Sequence, residues 1–380
     1  MFFRHSYLLI SFFICSSFLL TACVKDSPSN GPDDSTRQEN QTPSPSIERT
    51  IQPLTLATGQ FEKVIDWIND EQIIFIINDS GMSKVLLYDI YDGKQKLLYE
   101  TEHPIVDVQV SPTKNQFLVH TAPFTYAGEL TVVNLEGDIY TSTFIESFEL
   151  SFHWNPHNEH QLLITAFYED WTYDTYIWNW YEESLETVYL SNPFSKWYND
   201  GDSFLYIDWN TDQPFIDGPL KAYSFKNETE TTLLQHVYHV DVVSPYVMTI
   251  SNVQENKGLA QYGFYEETSF SKIAGWKVPH LSQYTDWLVP FYDYVPKTNR
   301  FYTFVPYRST DSDSYNEGFE LVQFSLTSEE KTKIIEYPTN EPIQCAPSGN
   351  NCLIGYQLDK IIDLEKKEIK QLIQLEERDE

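Results

Sequence analysis

Three features of this 380-residue chain predict an all-β fold, a single β-propeller of four-stranded blades. Aromatic residues make up 16% of it, as 26 Tyr, 24 Phe and 9 Trp, and strands favour such side chains. Short apolar runs end in Asp-Gly and Ser-Pro turns. A strand-and-turn pattern recurs at roughly 42 to 54 residues, the spacing of blades that hide both sheet faces only against their neighbours. A stack of β-sandwiches is the alternative, and the regular spacing opposes it.

The first unit runs from Val64-Ile65-Asp66-Trp67 through Ile73 to Ile77, then Lys84 to Ile90, the Asp92-Gly93 turn, and Lys96 to Tyr99. Asp-Gly between two such runs is a hairpin signal. The second unit comprises Val106 to Val110, Ser111-Pro112, Phe117 to Thr121, Glu129 to Leu135, Glu136-Gly137 and Ile139 to Phe144. The third places Phe152-His153-Trp154-Asn155-Pro156 where the second has Val108 to Pro112, so their turn prolines align. Later units centre on Phe204 to Ile207, Tyr246 to Ile250, Phe301 to Val305 and Cys352 to Tyr356. Seven units are counted. The last two spacings are longer, the final unit is abbreviated, and Ile51 to Ala57 offers a closing strand to a terminal blade, so six blades are the alternative. The C-terminal stretch from Lys360 reads as strand, acidic turn and strand rather than helix.

Before these units the chain opens with Arg4 and an apolar run from Tyr7 to Leu20, leading into Leu20-Thr21-Ala22-Cys23. The run is short of the about 20 apolar residues of a membrane span and suits a signal peptide. Its end resembles a lipobox, which implies lipidation of Cys23 and cleavage before it. Residues 1–22 are thus expected to be a signal peptide, residues 23–49 the lipidated cysteine with a disordered tether, and residues 50–380 the propeller. The tether is rich in Ser, Pro, Asn and Asp, so it buries too little apolar surface to offset its ordering entropy. It would average roughly 25 to 30 Å end to end. The expected location is the outer face of the cytoplasmic membrane.

With 25 Lys and Arg against 56 Asp and Glu, the formal net charge is −31. Such a balance opposes nucleic acid and anionic lipid, which select basic patches. Beyond Cys15 and Cys23 there remain Cys345 and Cys352, flanking a turn with Pro347 and Gly349. In an oxidising exterior that spacing reads as a hairpin disulfide.

Lipobox, polar tether and repeats together give a chain that resembles the YqgU-like lipoproteins of Gram-positive, Bacillus-type bacteria. The residues carrying the resemblance are Leu20 to Cys23, the Val110-Ser111-Pro112 turn and the Leu130 to Gly137 strand and turn. It implies a propeller usually described as six-bladed, and no established activity.

No phosphate loop, nucleophile elbow or HExxH motif is present. His153, His157 and His160, with Glu159, have a spacing that suits a metal only if their loop curls; exposed turn residues are the alternative. Asp311, Asp313 and Glu317 offer hard oxygens to calcium, although Asn316 stands where an EF-hand loop needs glycine. Calcium is the one cofactor this sequence suggests. Trp171, Tyr173, Trp197 and Trp209 are candidate ligand contacts, since aromatic faces stack on sugars and partner side chains. The expected function is non-catalytic binding or scaffolding for a protein or cell-envelope component; a hydrolase or lyase acting on polysaccharide or peptide is the alternative. Converging Asp, Glu and His side chains at the propeller centre would favour the enzyme, and an aromatic rim without paired acids the binder.

Overall fold

The computed structural model describes residues 49–209, 217–256, 258–283 and 287–374. The signal peptide, Cys23 and all of the expected tether but Arg49 lie outside the described residues. After β1 (Leu54–Thr55), the first blade is β2 (Gln60–Trp67), β3 (Gln72–Asp79), β4 (Met82–Asp89) and β5 (Gln95–Thr101). The second is β6 (Ile105–Val110), β7 (Gln116–Phe124), β8 (Ala127–Asn134) and β9 (Ile139–Glu146). The third is β10 (Glu149–Asn155), β11 (Asn158–Phe167), β12 (Tyr173–Asn179) and β13 (Ser184–Thr187).

A seven-stranded sheet follows: β14 (Lys196–Tyr198), β15 (Ser203–Ile207), β16 (Gly218–Ser224), β17 (Thr229–Val243), β18 (Tyr246–Asn252), β19 (Leu259–Glu266) and β20 (Lys272–Pro279). The first half of β17 pairs with β16 and the second half with β18. One 15-residue strand therefore serves as the outer strand of the fourth blade and the inner strand of the fifth. A short parallel bridge joins β21 (Leu281–Ser282) to β24 (Thr310–Asp311). The sixth blade is β22 (Tyr292–Val295), β23 (Arg300–Pro306), β25 (Phe319–Ser325) and β26 (Lys331–Tyr337). The seventh is β27 (Ile343–Cys345), β28 (Asn351–Ile354), β29 (Lys360–Asp363) and β30 (Glu368–Gln371). β31 (Ile373–Gln374) pairs in parallel with β1.

The core lies between the sheets. Seven buried clusters each join one blade to the next, from the first and second round to the seventh and first. The N-terminal segment expected to complete a blade instead clasps the seam: Leu54 N donates to Leu372 O at 2.7 Å, Gln52 N to Ile90 O at 2.7 Å, and Tyr88 Oη to Gln52 O at 2.8 Å. Polar residues ending the third strand of several blades shape the acidic turns. Asp89 Oδ1 accepts from Tyr91 N and Asp92 N, and Asn134 Oδ1 from Glu136 N and Asp138 N. Gly137 (φ 98°) is required there, since a Cβ would sit 3.0 Å from Leu98 O.

Cys345 and Cys352 face each other across the β27–β28 hairpin and are disulfide-bonded. The loop they close is short, so replacing both by alanine is expected to cost only about 2 kcal/mol. Denaturant midpoints of the native and double-variant proteins check this; an unchanged midpoint would show the bond to be structurally idle.

Candidate functional site

Loops that join the second to the third strand of a blade, or one blade to the next, emerge on one face of the ring. On that face β7–β8, β9–β10 and β11–β12 enclose a groove of about 840 Å³ between the second and third blades, lined by Phe124, Tyr126, Phe148, Glu146, Tyr168, Glu169 and Asp170 among others. Phe124 is 68% exposed and Trp171, at the adjoining loop tip, 71%. Tyr126 Oη donates to Glu169 Oε1 at 2.9 Å, and this bond raises the phenol's pKa. Asp170 accepts from Thr172 Oγ1 at 2.6 Å and Thr172 N at 3.1 Å, and these bonds hold its pKa below the usual value. Trp171 itself has φ 63°, a conformation that costs a non-glycine residue about 1–2 kcal/mol and turns the indole outward.

A second concavity lies on the axis, at the opposite face. Each inner strand carries one polar residue at an equivalent place: Asp66, Gln109, His153, Lys196, Asp241, Asp293 and Gln344. In two blades the residue after it is a tryptophan that ties the blade to its neighbour. Trp67 Nε1 donates to Gln344 O at 3.0 Å, and Trp197 Nε1 to His153 O at 3.1 Å, each reaching the preceding blade. Five of these residues, with Lys114, line a pocket of about 360 Å³. Burial holds the pKa values of His153 and His239 down at about 4, with the nearby Lys196 charge adding to the effect. Burial pushes Asp293 up to about 7 against the pull of hydrogen bonds from Cys345 N and Tyr294 N. His239 Nε2 donates to Tyr292 Oη, which donates to Asp241 Oδ2, both at 2.8 Å.

Several residues expected at sites lie elsewhere. Trp197 is 2% exposed, packed on Phe204 in the seam between the third and fourth blades, because it belongs to β14 and not to a loop. Trp209 packs against two core clusters. Tyr173 is tied by Oη to Leu190 O at 3.1 Å, leaving Trp171 as the freely presented one of the four. Asp311 accepts from Asp313 N as the cap of a one-turn 3-10 helix, and Glu317 pairs with Arg308 at 2.7 Å, so the three proposed calcium ligands do not converge. The three histidines are likewise separate, and none is a simple exposed turn residue. His153 faces the channel, His157 bonds Glu267 at 2.7 Å, and His160 stacks on Tyr181. Among the described residues no three His, Cys, Asp or Glu side chains are grouped to hold a metal ion.

Sequence reasoning missed Phe124, Tyr126, Glu146 and Phe148 in the groove, and the axial ring. The ring had a signal: one polar residue inside each inner strand, followed by Trp, Val, Tyr or Cys.

The chain is 28% identical over 309 residues to the uncharacterized lipoprotein YqgU of Bacillus subtilis (strain 168), covering 81% of this chain and 83% of that one. An uncharacterized Listeria monocytogenes protein of known structure superposes with a TM-score of 0.80 at 21% identity, over 87% of this chain and 99% of that one. Oligogalacturonate lyase from Vibrio parahaemolyticus matches at a TM-score of 0.58 and 9% identity, covering 82% and 91%. The last two likenesses speak to fold. A family model described as a YqgU-like 6-bladed beta propeller domain matches residues 89–355. That stretch holds five whole blades with parts of the first and seventh, so the seven blades seen here exceed the family's description. Since the match spans well over half of the chain, the protein belongs to the family of YqgU-like β-propeller domains.

Proposed function

We propose that this protein is a lipoprotein held by lipid on Cys23 at the outer face of the cytoplasmic membrane, and that its propeller binds a protein or cell-envelope component in the groove between the second and third blades. The observation that carries this reading is the groove itself: exposed aromatic faces set among the carboxylates of Glu146, Glu169 and Asp170. Rings supply contact area at little entropic cost, and carboxylates take up hydroxyl or cationic groups. The Leu-Thr-Ala-Cys motif and the lipoprotein name of the Bacillus subtilis relative support the anchor.

Crosslinking pull-downs from intact cells test both parts. Cys23→Ala should lose or weaken capture of the envelope partner. Trp171→Ala should weaken it about 30-fold, the effect of losing about 2 kcal/mol at a binding hot spot. Capture unchanged both in Trp171→Ala and in Phe124→Ala, a residue of the groove wall, would remove the groove from the account.

A second reading places hydrolase or lyase chemistry in the channel. It is favoured by Asp293, whose pKa of about 7 suits a general acid or base, and by the Asp66 carboxylate near it. Activity on polysaccharide or peptide that disappears in Asp293→Asn would support it; a panel without turnover would count against it.

A further inference from the structure

The axial pocket has an imbalance of hydrogen-bonding groups that points to a ligand of its own. Its carboxylates are already claimed. Asp66 Oδ1 accepts from Trp67 N at 2.7 Å and Oδ2 from Lys114 Nζ. Asp241 Oδ1 accepts from Val242 N at 3.0 Å and Oδ2 from Tyr292 Oη at 2.8 Å. The donors are not. Lys196 Nζ stands 3.8 Å from Asp241 Oδ1, beyond hydrogen-bond reach, with its side chain 28% exposed. The His153 ring lines the same pocket and makes no side-chain hydrogen bond among the described residues. An ammonium carries three donors, and a neutral imidazole carries one.

We propose that the axial pocket binds a small oxyanion, a carboxylate or inorganic phosphate, with Lys196 and the His153 ring donating to it. Such an ion supplies the acceptors these groups lack, through charge-assisted hydrogen bonds. At about 360 Å³ the pocket lies at the low end of small-molecule sites, which suits a compact ligand and not a polymer. A cation has less to gain, because each oxygen of Asp66 and Asp241 already holds a donor and two ammonium groups stand beside them. The net charge of −31 acts against an anion at long range, but screening confines such repulsion to about 8 Å at physiological salt. The local donors therefore decide binding inside the pocket.

The test is titration of the full-length protein, purified in detergent, with acetate and separately with inorganic phosphate, followed by calorimetry and by the NMR signals of the His153 ring. Saturable binding of at least one, with a Kd of about 1 mM or tighter, is expected to move the His153 signals. Acetate alone would assign a carboxylate site and phosphate alone a phosphate site. Lys196→Met should weaken binding at least about tenfold and Lys196→Arg should largely retain it, while Trp171→Ala should leave it unchanged. If Lys196→Met does not fold, His153→Phe, which keeps the ring but has no N–H donor, should give the same loss. Absence of saturable binding by either anion, or native affinity in folded Lys196→Met, would overturn the proposal. A lost pull-down with intact anion binding would instead count against the groove.

Discussion

Trp67→Ala should destabilise the propeller by about 3–5 kcal/mol, the usual cost of emptying a buried tryptophan site. Trp67 has no exposed surface and sits in the cluster that joins the last blade to the first, with Phe61, Phe75, Leu353 and Ile361. This seam unites the two ends of the chain, so no local sequence contact substitutes for it. The indole also donates to Gln344 O across the seam, and alanine would leave that carbonyl short of its donor. Trp67→Phe separates the two effects: it keeps most of the ring volume, loses the hydrogen bond, and should cost about 1–3 kcal/mol. Denaturant unfolding of the three proteins is the measurement. A loss below about 1 kcal/mol for Trp67→Ala would mean that the β1–β31 clasp closes the ring without the seam.

That seam shows what was legible in the sequence. Each blade must present two apolar faces, so its strands repeat as apolar runs broken by polar turns, and the Asp92-Gly93 and Glu136-Gly137 turns fell where expected. The second strands of the later units, from Phe204, Tyr246, Phe301 and Cys352, are β15, β18, β23 and β28. The segment from Ile51 to Ala57 is as apolar as a blade strand, and only the position of its partner reveals a clasp. Site residues were harder to read, since a strand tryptophan and a loop tryptophan look alike in sequence. Trp197 lies in a three-residue strand beside a polar turn, a context that resembles a loop in sequence. Trp171 lies at a true hairpin tip. The groove combines loops of two blades, and no local motif records that Phe124, Phe148 and Asp170 share a face. At Asp311, alternating carboxylates resembled a calcium loop, but their function there is local: one caps a turn and another pairs with Arg308.

Acid should weaken the domain through two histidines of the inner strands, and their removal should reverse the pH slope. His153 and His239 titrate near 4 when folded and near 6.5 when unfolded. Between those limits the unfolded chain binds the extra protons, so stability is full above about pH 6.5 and is lost as pH falls toward 4. Asp293 acts oppositely. Its pKa is about 7 when folded against 3.8 otherwise, so there the folded state holds the extra proton and stability is lost as pH rises from about 4 to 7. Two histidines outweigh one aspartate from pH 4.5 to 6, giving a net rise with pH. Discounted for the partial exposure of the channel, each histidine contributes about 2 kcal/mol across its window. The double variant His153→Gln, His239→Gln leaves Asp293 to act alone, and its thermal midpoint relative to the native protein should rise as pH falls. Relief of repulsion among the surface carboxylates also favours the folded state in acid, but it is common to both proteins and cancels in their difference. Thermal unfolding at pH 4.5, 5.5 and 6.5, in buffer free of carboxylates and phosphate, makes the comparison. Parallel midpoint curves for the two proteins would show that these histidines are reached by water and carry no penalty on protonation.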